Sequence, residues 1–325
     1  MSLKNTSVLV TGGAGFIGSH LVDRLVSEDP ENLVVVDNLF LGKDDNVQSA
    51  RKAYPHLKIF HMDAADPAAM KNLVESEGTD VVFNLAVIPL PASLDRPVWS
   101  FDQNCKITST LCELARSGHY KTLIHFSSSE AYGTSISGPM DENHPLNATT
   151  PYAASKAASD LLVLSYVRTF GIESAIIRPF NNYGPRQNEK SYAGVIPLTI
   201  KRLYEHQPPV IYGTGNQTRD YLYVTDTADA AVRIYHSRNT RGRVLNIASG
   251  KEVSIRYLVE KILHYWGSDL RIVYEPERPG DVQRHIANTY LAKDLIGFTP
   301  TVEFDEGLKK TVEWYKTKVF PSAGR

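Results

Sequence analysis

Short apolar runs and longer mixed stretches take turns through the first half of the chain. Val8-Leu9-Val10 and Leu33-Val34-Val35-Val36 are unbroken apolar runs bounded by polar or turn-forming residues, as in strands covered on both faces. Strands are expected at 7–11, 33–37, 57–61, 80–84 and 121–126. Apolar residues recur at helical spacing near 15–28, 67–76 and 97–116, and a further helix opens at Thr150-Pro151-Tyr152 and runs to about Phe170. Pro151 suits the first turn of that helix. Alternation of this kind predicts parallel strands joined by right-handed crossovers, an α/β protein with a doubly wound parallel sheet.

The first strand runs directly into Thr11-Gly-Gly-Ala-Gly-Phe-Ile-Gly18. Gly12, Gly15 and Gly18 are spaced by three, and Gly13, Gly15 and Gly18 fit G-x-G-x-x-G, so the backbone can turn tightly, approach a pyrophosphate and pack the helix on the strand. The N–H groups at the start of that helix, near Phe16 and Ile17, then face an anion. The second strand ends at Asp37, nineteen positions after Gly18, about where a carboxylate accepts both hydroxyls of an adenosine ribose. This makes the sheet Rossmann-type and the ligand a dinucleotide. No arginine follows Asp37 directly (Asn38-Leu39-Phe40), and the carboxylate would repel a 2′-phosphate, so NAD is favoured over NADP. Ligands in such sheets lie beyond the carboxyl ends of the strands, which puts Asp63, Ala64, Leu85 and Ala86 near the cofactor, Asp63 toward the adenine.

Bulk properties narrow the partners. The 325 residues carry 35 basic and 36 acidic side chains, a net charge of −1, so no global field favours nucleic acid or an anionic membrane. Cys105 and Cys112 lie seven apart in a helical pattern without metal-ligand or disulfide spacing, so they are expected reduced and no metal is expected. No apolar stretch is long enough to span a bilayer, and the first strand starts too early to leave room for a leader, so a cytoplasmic protein is expected.

The fifth strand runs into Ser127-Ser-Ser-Glu-Ala-Tyr-Gly133, at the carboxyl end of a central strand, where this architecture places reacting groups. Tyr152 and Lys156, four apart, share one helix face. An ammonium beside the phenol is expected to lower its pKa, as a proton acceptor for a sugar hydroxyl requires.

At this point the chain resembles the extended short-chain dehydrogenase/reductase family, and within it the nucleotide-sugar epimerases, dehydratases and decarboxylases. The resemblance spans nearly the whole chain and rests on the glycine turn, Asp37-Asn-Leu39, Asn84-Leu-Ala86, Ser127–Gly133, Pro151-Tyr-Ala-Ala-Ser-Lys156, Arg178-Pro-Phe-Asn-Asn-Tyr-Gly-Pro-Arg186, Arg219-Asp-Tyr221, Val224-Thr-Asp226 and Arg278-Pro-Gly-Asp281. It implies Ser128 as the catalytic serine, Tyr152 as the base and Lys156 as the residue that binds the nicotinamide ribose. It implies that Asn104 and Pro179 also line the cofactor, and that Arg219, Arg278 and Asn181 grip the diphosphate of a nucleoside-diphosphate sugar. It further implies an NAD-binding domain over 1–180, with later segments near 210–260 returning to it. The rest of 181–325 would form a discontinuous substrate domain, and the helices at 97–116 and 151–170 would pair two subunits into a homodimer.

The implied chemistry branches after a common step. Oxidation at the sugar C4 gives a 4-keto sugar, and the sugar can then turn over (4-epimerase), lose water from C6 (4,6-dehydratase) or lose carbon dioxide (decarboxylase of a 6-carboxylate). Glu130, two residues after Ser128, favours the dehydratase, because a carboxylate near C5 can act as the elimination base. The resemblance departs at Ser129, where sugar-nucleotide dehydratases most often have aspartate. It departs again at Val87-Ile-Pro-Leu-Pro-Ala-Ser-Leu94, an apolar loop where many relatives are polar. A nucleotide-binding protein without catalysis is the reading from a different class; intact Ser128, Tyr152 and Lys156 argue against it.

Overall fold

The computed structural model describes residues 2–190, 193–277 and 282–321. β1 (Ser7–Thr11) leads through the glycine turn into α1 (Phe16–Val26), β2 (Asn32–Asp37), the short α2 (Gln48–Ala53) and β3 (Lys58–His61). α3 (Pro67–Ser76), β4 (Val81–Asn84), α4 (Leu90–Asp95), α5 (Pro97–Arg116), β5 (Thr122–Phe126), α6 (Pro151–Phe170) and β6 (Glu173–Pro179) continue the alternation. Beyond them come β7 (Asn181–Tyr183), α7 (Val195–Tyr204), β8 (Val210–Tyr212), β9 (Thr218–Tyr223) and α8 (Val224–His236). β10 (Val244–Ile247), β11 (Glu252–Ser254), α9 (Ile255–Trp266), β12 (Val273–Glu275), α10 (Tyr290–Ile296) and α11 (Phe304–Trp314) complete the described chain.

Seven parallel strands form the main sheet in the order β10-β6-β5-β4-β1-β2-β3, with the direction of winding reversing between β1 and β4. The period of two along β1 sends Val8 and Val10 to one face and Leu9 to the other. On the first face they meet Leu21 and Leu25 of α1, Ala231 of α8 and Ala292 of α10. On the second, Leu9 joins Met70 of α3, Leu111 of α5 and Val163 of α6. Both faces are thus dry, which is why the strands read as continuous apolar runs. Cys112 is buried on the second face, where burial pushes its thiol up to about 12, and both cysteines are free. No helix among the described residues is long and apolar enough to cross a membrane.

A smaller lobe is built from β11-β9-β7, the β12-β8 pair, α7, α9 and α11 around Tyr183, Ile200, Leu258 and Val312. The chain re-enters the first lobe through α8 and β10, which fall within the expected 210–260, and through α10, which falls beyond it. Asp220 of β9, fully buried, joins the crossings by accepting from the backbone N–H groups of Ser249, Gly250 and Ala287.

Helix α6 carries the residues of most interest and is well defined at both ends. Thr150 caps it by accepting from Ala153 N, Pro151 occupies its first turn, and Gly171 closes it in the left-handed conformation at φ 70°.

Candidate active site

The carboxyl ends of β1, β2, β4 and β5 open into a cleft of about 500 Å³ that the second lobe walls from the other side. At its floor Gly12 has φ 68°, and a Cβ there would lie 2.7 Å from Ala86 N. A Cβ on Gly18 would come within 2.1 Å of Gly12 O, so the helix can approach the strand only with glycine at that position. Gly15 starts α1 with no side-chain cap and no acidic residue in the first turn, leaving the N-terminal N–H groups at Phe16 and Ile17 directed to the cleft.

Asp37, at the end of β2, is buried and lines the same space. Its Oδ2 accepts from Ala14 N at 3.0 Å and its Oδ1 from Leu39 N at 2.9 Å. Burial raises its pKa while these backbone donors oppose the rise. Asn38, Asp63, Ala64, Leu85, Ala86 and Pro179 also line the cleft. A tight glycine floor, an uncapped helix start and a carboxylate at the end of the next strand form a cradle that fits a dinucleotide with an unphosphorylated adenosine ribose.

Asn104, expected beside the cofactor, is not among the residues that line the cleft. Its Oδ1 accepts from Ile88 N at 2.7 Å, and its Nδ2 donates to Ile88 O and Ser155 Oγ. It instead fixes the apolar segment Val87–Pro91, every residue of which faces the cleft. Part of the stretch expected to be a loop is helical, with Pro91 in the first turn of α4.

Ser128, Glu130, Tyr152 and Lys156 meet on the opposite wall. A 3₁₀ turn over Ser129–Tyr132 follows β5, capped by Ser128 Oγ, which accepts from Glu130 N at 3.2 Å. The Tyr152 phenol is hydrogen-bonded to Ser128. Burial pushes it up to about 12 against the pull of that bond, and the Glu130 and Asp160 charges add to the rise. This differs from the expected lowering by Lys156. The ammonium instead donates to Phe126 O at 2.5 Å, and burial lowers it to about 8 although Asp160 and Cys105 oppose the change.

A buried polar layer that sequence reasoning missed lies beneath these groups. Asp160, one turn beyond Lys156, accepts from Ser127 Oγ at 2.7 Å and from Arg178 Nε at 2.8 Å, and the Arg178 guanidinium lies 4.6 Å from the centroid of the Tyr132 ring. Asn84 accepts from Thr11 Oγ1 and meets His125 Nδ1 at 3.0 Å. The i, i+4 spacing of Lys156 and Asp160 was the available signal.

On the second-lobe side Asn181 lines the cleft, with its Nδ2 buried and lacking a partner among the described residues. Gln187, also missed, lines it with Oε1 in the same state, and Tyr221 joins them. Arg219 lies two residues from Tyr221 on β9 but outside the lining, and its guanidinium donates to Thr218 O. Arg278 lies outside the described residues.

The NAD dependent epimerase/dehydratase family matches residues 8–248, a span holding the glycine turn, Asp37, Ser128, Tyr152 and Lys156. The chain belongs to this family. NAD is therefore the cofactor that the cradle accommodates. Over 312 residues the chain is 35% identical to the UDP-glucose 4-epimerase of Mycolicibacterium smegmatis, covering 95% of this chain and 98% of that one. It is 33% identical over 320 residues to the dTDP-glucose 4,6-dehydratase of an Actinoplanes species, covering 95% and 97%. The crystal structure of the Thermotoga maritima UDP-glucose 4-epimerase with UDP-glucose superposes with a TM-score of 0.90 at 30% identity, covering 97% of this chain and 100% of that one. These relatives are named for nucleotide-sugar substrates but for different reactions, epimerisation and dehydration.

Proposed function

We propose that this chain is a nucleoside-diphosphate-sugar 4,6-dehydratase. NAD, when bound, supplies the acceptor for the C4 hydride and returns it within the same turnover. Asp37, the glycine turn and Lys156 hold the cofactor. Tyr152, hydrogen-bonded to Ser128, takes the proton of the C4 hydroxyl as a phenolate, the form that the positive charge of a bound oxidised nicotinamide would favour, so that the sugar becomes a 4-ketone. The ketone acidifies the C5 proton, Glu130 removes it, and the C6 hydroxyl departs as water with the proton taken at C4; Glu130 then returns its proton to C5 while C6 would regain the stored hydride, so the net change is loss of one water. The diphosphate meets Asn181, whose buried amide needs an acceptor, together with Arg219 and Arg278.

The observation that carries this reading is the position of Glu130, lining the cleft on the same 3₁₀ turn that Ser128 caps. A 4-epimerase needs no carboxylate there. The epimerase is the second reading, favoured by the identity to 4-epimerases, and the test decides between them. Purified protein is incubated with uridine, thymidine, guanosine and cytidine diphosphate sugars, and the products are weighed. Loss of one water supports the dehydratase, unchanged mass with inverted C4 supports the epimerase, and loss of carbon dioxide from a 6-carboxylate overturns both.

The working form is a homodimer in this proposal. α5 and α6 pack together through Leu111 and Val163, yet Val98 is 73% and Leu161 59% exposed on the same helix pair. A second copy covering that face accounts for them. Light scattering is expected to give twice the monomer mass for the parent and a monomer for Leu161→Glu.

A further inference from the structure

Two side-chain crossings hold the loop whose Phe40, Leu41 and Gly42 line the cofactor cleft, and neither serves the hydrophobic core. The loop after β2 is pinned at several points: Asp37 Oδ1 accepts from Leu39 N, Asn38 Oδ1 accepts from Phe40 N at 3.0 Å, and Lys43 N donates to Ala14 O at 3.0 Å. Leu39 takes a left-handed φ of 58°, which turns the chain out of the strand direction and presents Phe40 across the cleft. Phe40 meets Trp99 of α5 with ring centroids 5.7 Å apart, and the Arg96 guanidinium lies 3.9 Å from the Trp99 centroid. Both rings line the cleft, and neither belongs to a buried cluster of the fold.

The second crossing joins the same loop to the smaller lobe. Lys43 Nζ donates to Glu189 Oε1 at 2.6 Å, and the Glu189 side chain is only 10% exposed. Both crossings thus start from the loop that Asp37 anchors, one ending on the helix before β5 and the other on the segment after β7. Aromatic contact, guanidinium stacking and a partly shielded ion pair all add to the barrier against pulling the loop aside.

We propose that the Phe40–Trp99 stack and the Lys43–Glu189 pair form a clasp that retains NAD between turnovers, so that cofactor exchange requires the loop at 38–43 to open. A reaction that lends a hydride and takes it back gains from such retention, because cofactor lost in mid-cycle strands an oxidised sugar. The inference rests on NAD in the cleft and is independent of which sugar chemistry follows.

The test loads the protein with deuterium-labelled NAD, dilutes it into excess unlabelled NAD, and follows the bound label by mass after rapid gel filtration. Phe40→Ala, Trp99→Ala and Glu189→Gln are each expected to exchange at least tenfold faster than the parent, and Trp99→Phe to stay slow. The melting temperature of cofactor-free protein is measured beside each, since a merely structural role would lower it in step. Exchange equal to the parent in the three variants overturns the clasp, as does faster exchange that tracks a lowered cofactor-free melting temperature. A parent that sheds its label during filtration overturns it too, whereas failure of the dehydratase reading appears only in the product masses.

Discussion

Arg178 Nε donates to Asp160 Oδ2 at 2.8 Å, with both side chains buried. Coulombic attraction in that dry layer holds Arg178 charged although burial opposes it. Removing one member strands the other charge, an error that costs about 3–5 kcal/mol. Asp160→Ala is therefore expected to lose about that much stability in urea unfolding, whereas a double replacement by Leu and Met recovers a large part of it.

In the proposed function Asp37 selects NAD over NADP. Calorimetry is expected to show NAD bound more tightly than NADP, with Asp37→Ala narrowing the gap. A charge-assisted hydrogen bond contributes about 1.5–3 kcal/mol, so the NAD affinity of the variant should fall by tenfold or more. Because the same carboxylate holds Ala14 N and Leu39 N, the variant should also exchange cofactor faster.

Variants at Tyr152 and Glu130 test the proposed separation of oxidation from elimination. Tyr152→Phe is expected to lower every outcome by about 10²–10⁴-fold, since no ketone forms. Glu130→Gln should still accumulate the absorbance of bound NADH on mixing with substrate while releasing no dehydrated product. Full activity in Glu130→Gln points to an epimerase, and loss of the NADH signal makes Glu130 a residue for oxidation or for binding the sugar.

The acid limit of stability should follow buried neutral histidines. Burial lowers His20 to about 4 and His285 to about 3, with Arg186 and Arg219 adding to the effect. Between these values and about 6.5 the unfolded chain binds protons that the folded chain does not, so stability falls as pH drops through that window. Unfolding free energy measured from pH 7 to pH 4 should decline less steeply in His20→Gln than in the parent.

The legible parts of the fold were those in which local pattern and tertiary role coincide. β1, β2, β4 and β5 begin and end within a residue of their expected places because both faces of each are covered, the partly exposed edge strand β3 falls within a residue too, and the long α5 and α6 match their expected spans. The second lobe was coarser, because β7, β8, β11 and β12 are three residues each and carry no periodicity. In the site, Tyr152, Lys156 and Ser128 came from spacing and resemblance together. Spacing also suggested that Lys156 would lower the Tyr152 phenol, but which way an ammonium points depends on the carbonyl at the end of β5, a tertiary fact. The bonds of the Asn104 amide to Ile88 and Ser155 are tertiary facts of the same kind. Asp160 sat in view on α6, but its partner Arg178 comes from β6.

The placing of β10 at the border of the seven-stranded sheet, next to β6, bears on how the chain is made. Val244–Ile247 are paired with 176–179, so a ribosome has to deliver more than sixty further residues before that border is sealed. Until then β6 presents bare N–H and C=O groups and a hydrophobic flank, a template for unwanted strand addition. Fragments cut between β6 and β10 should consequently aggregate, whatever their first lobe holds, and chaperone engagement during synthesis should persist until β10 has emerged.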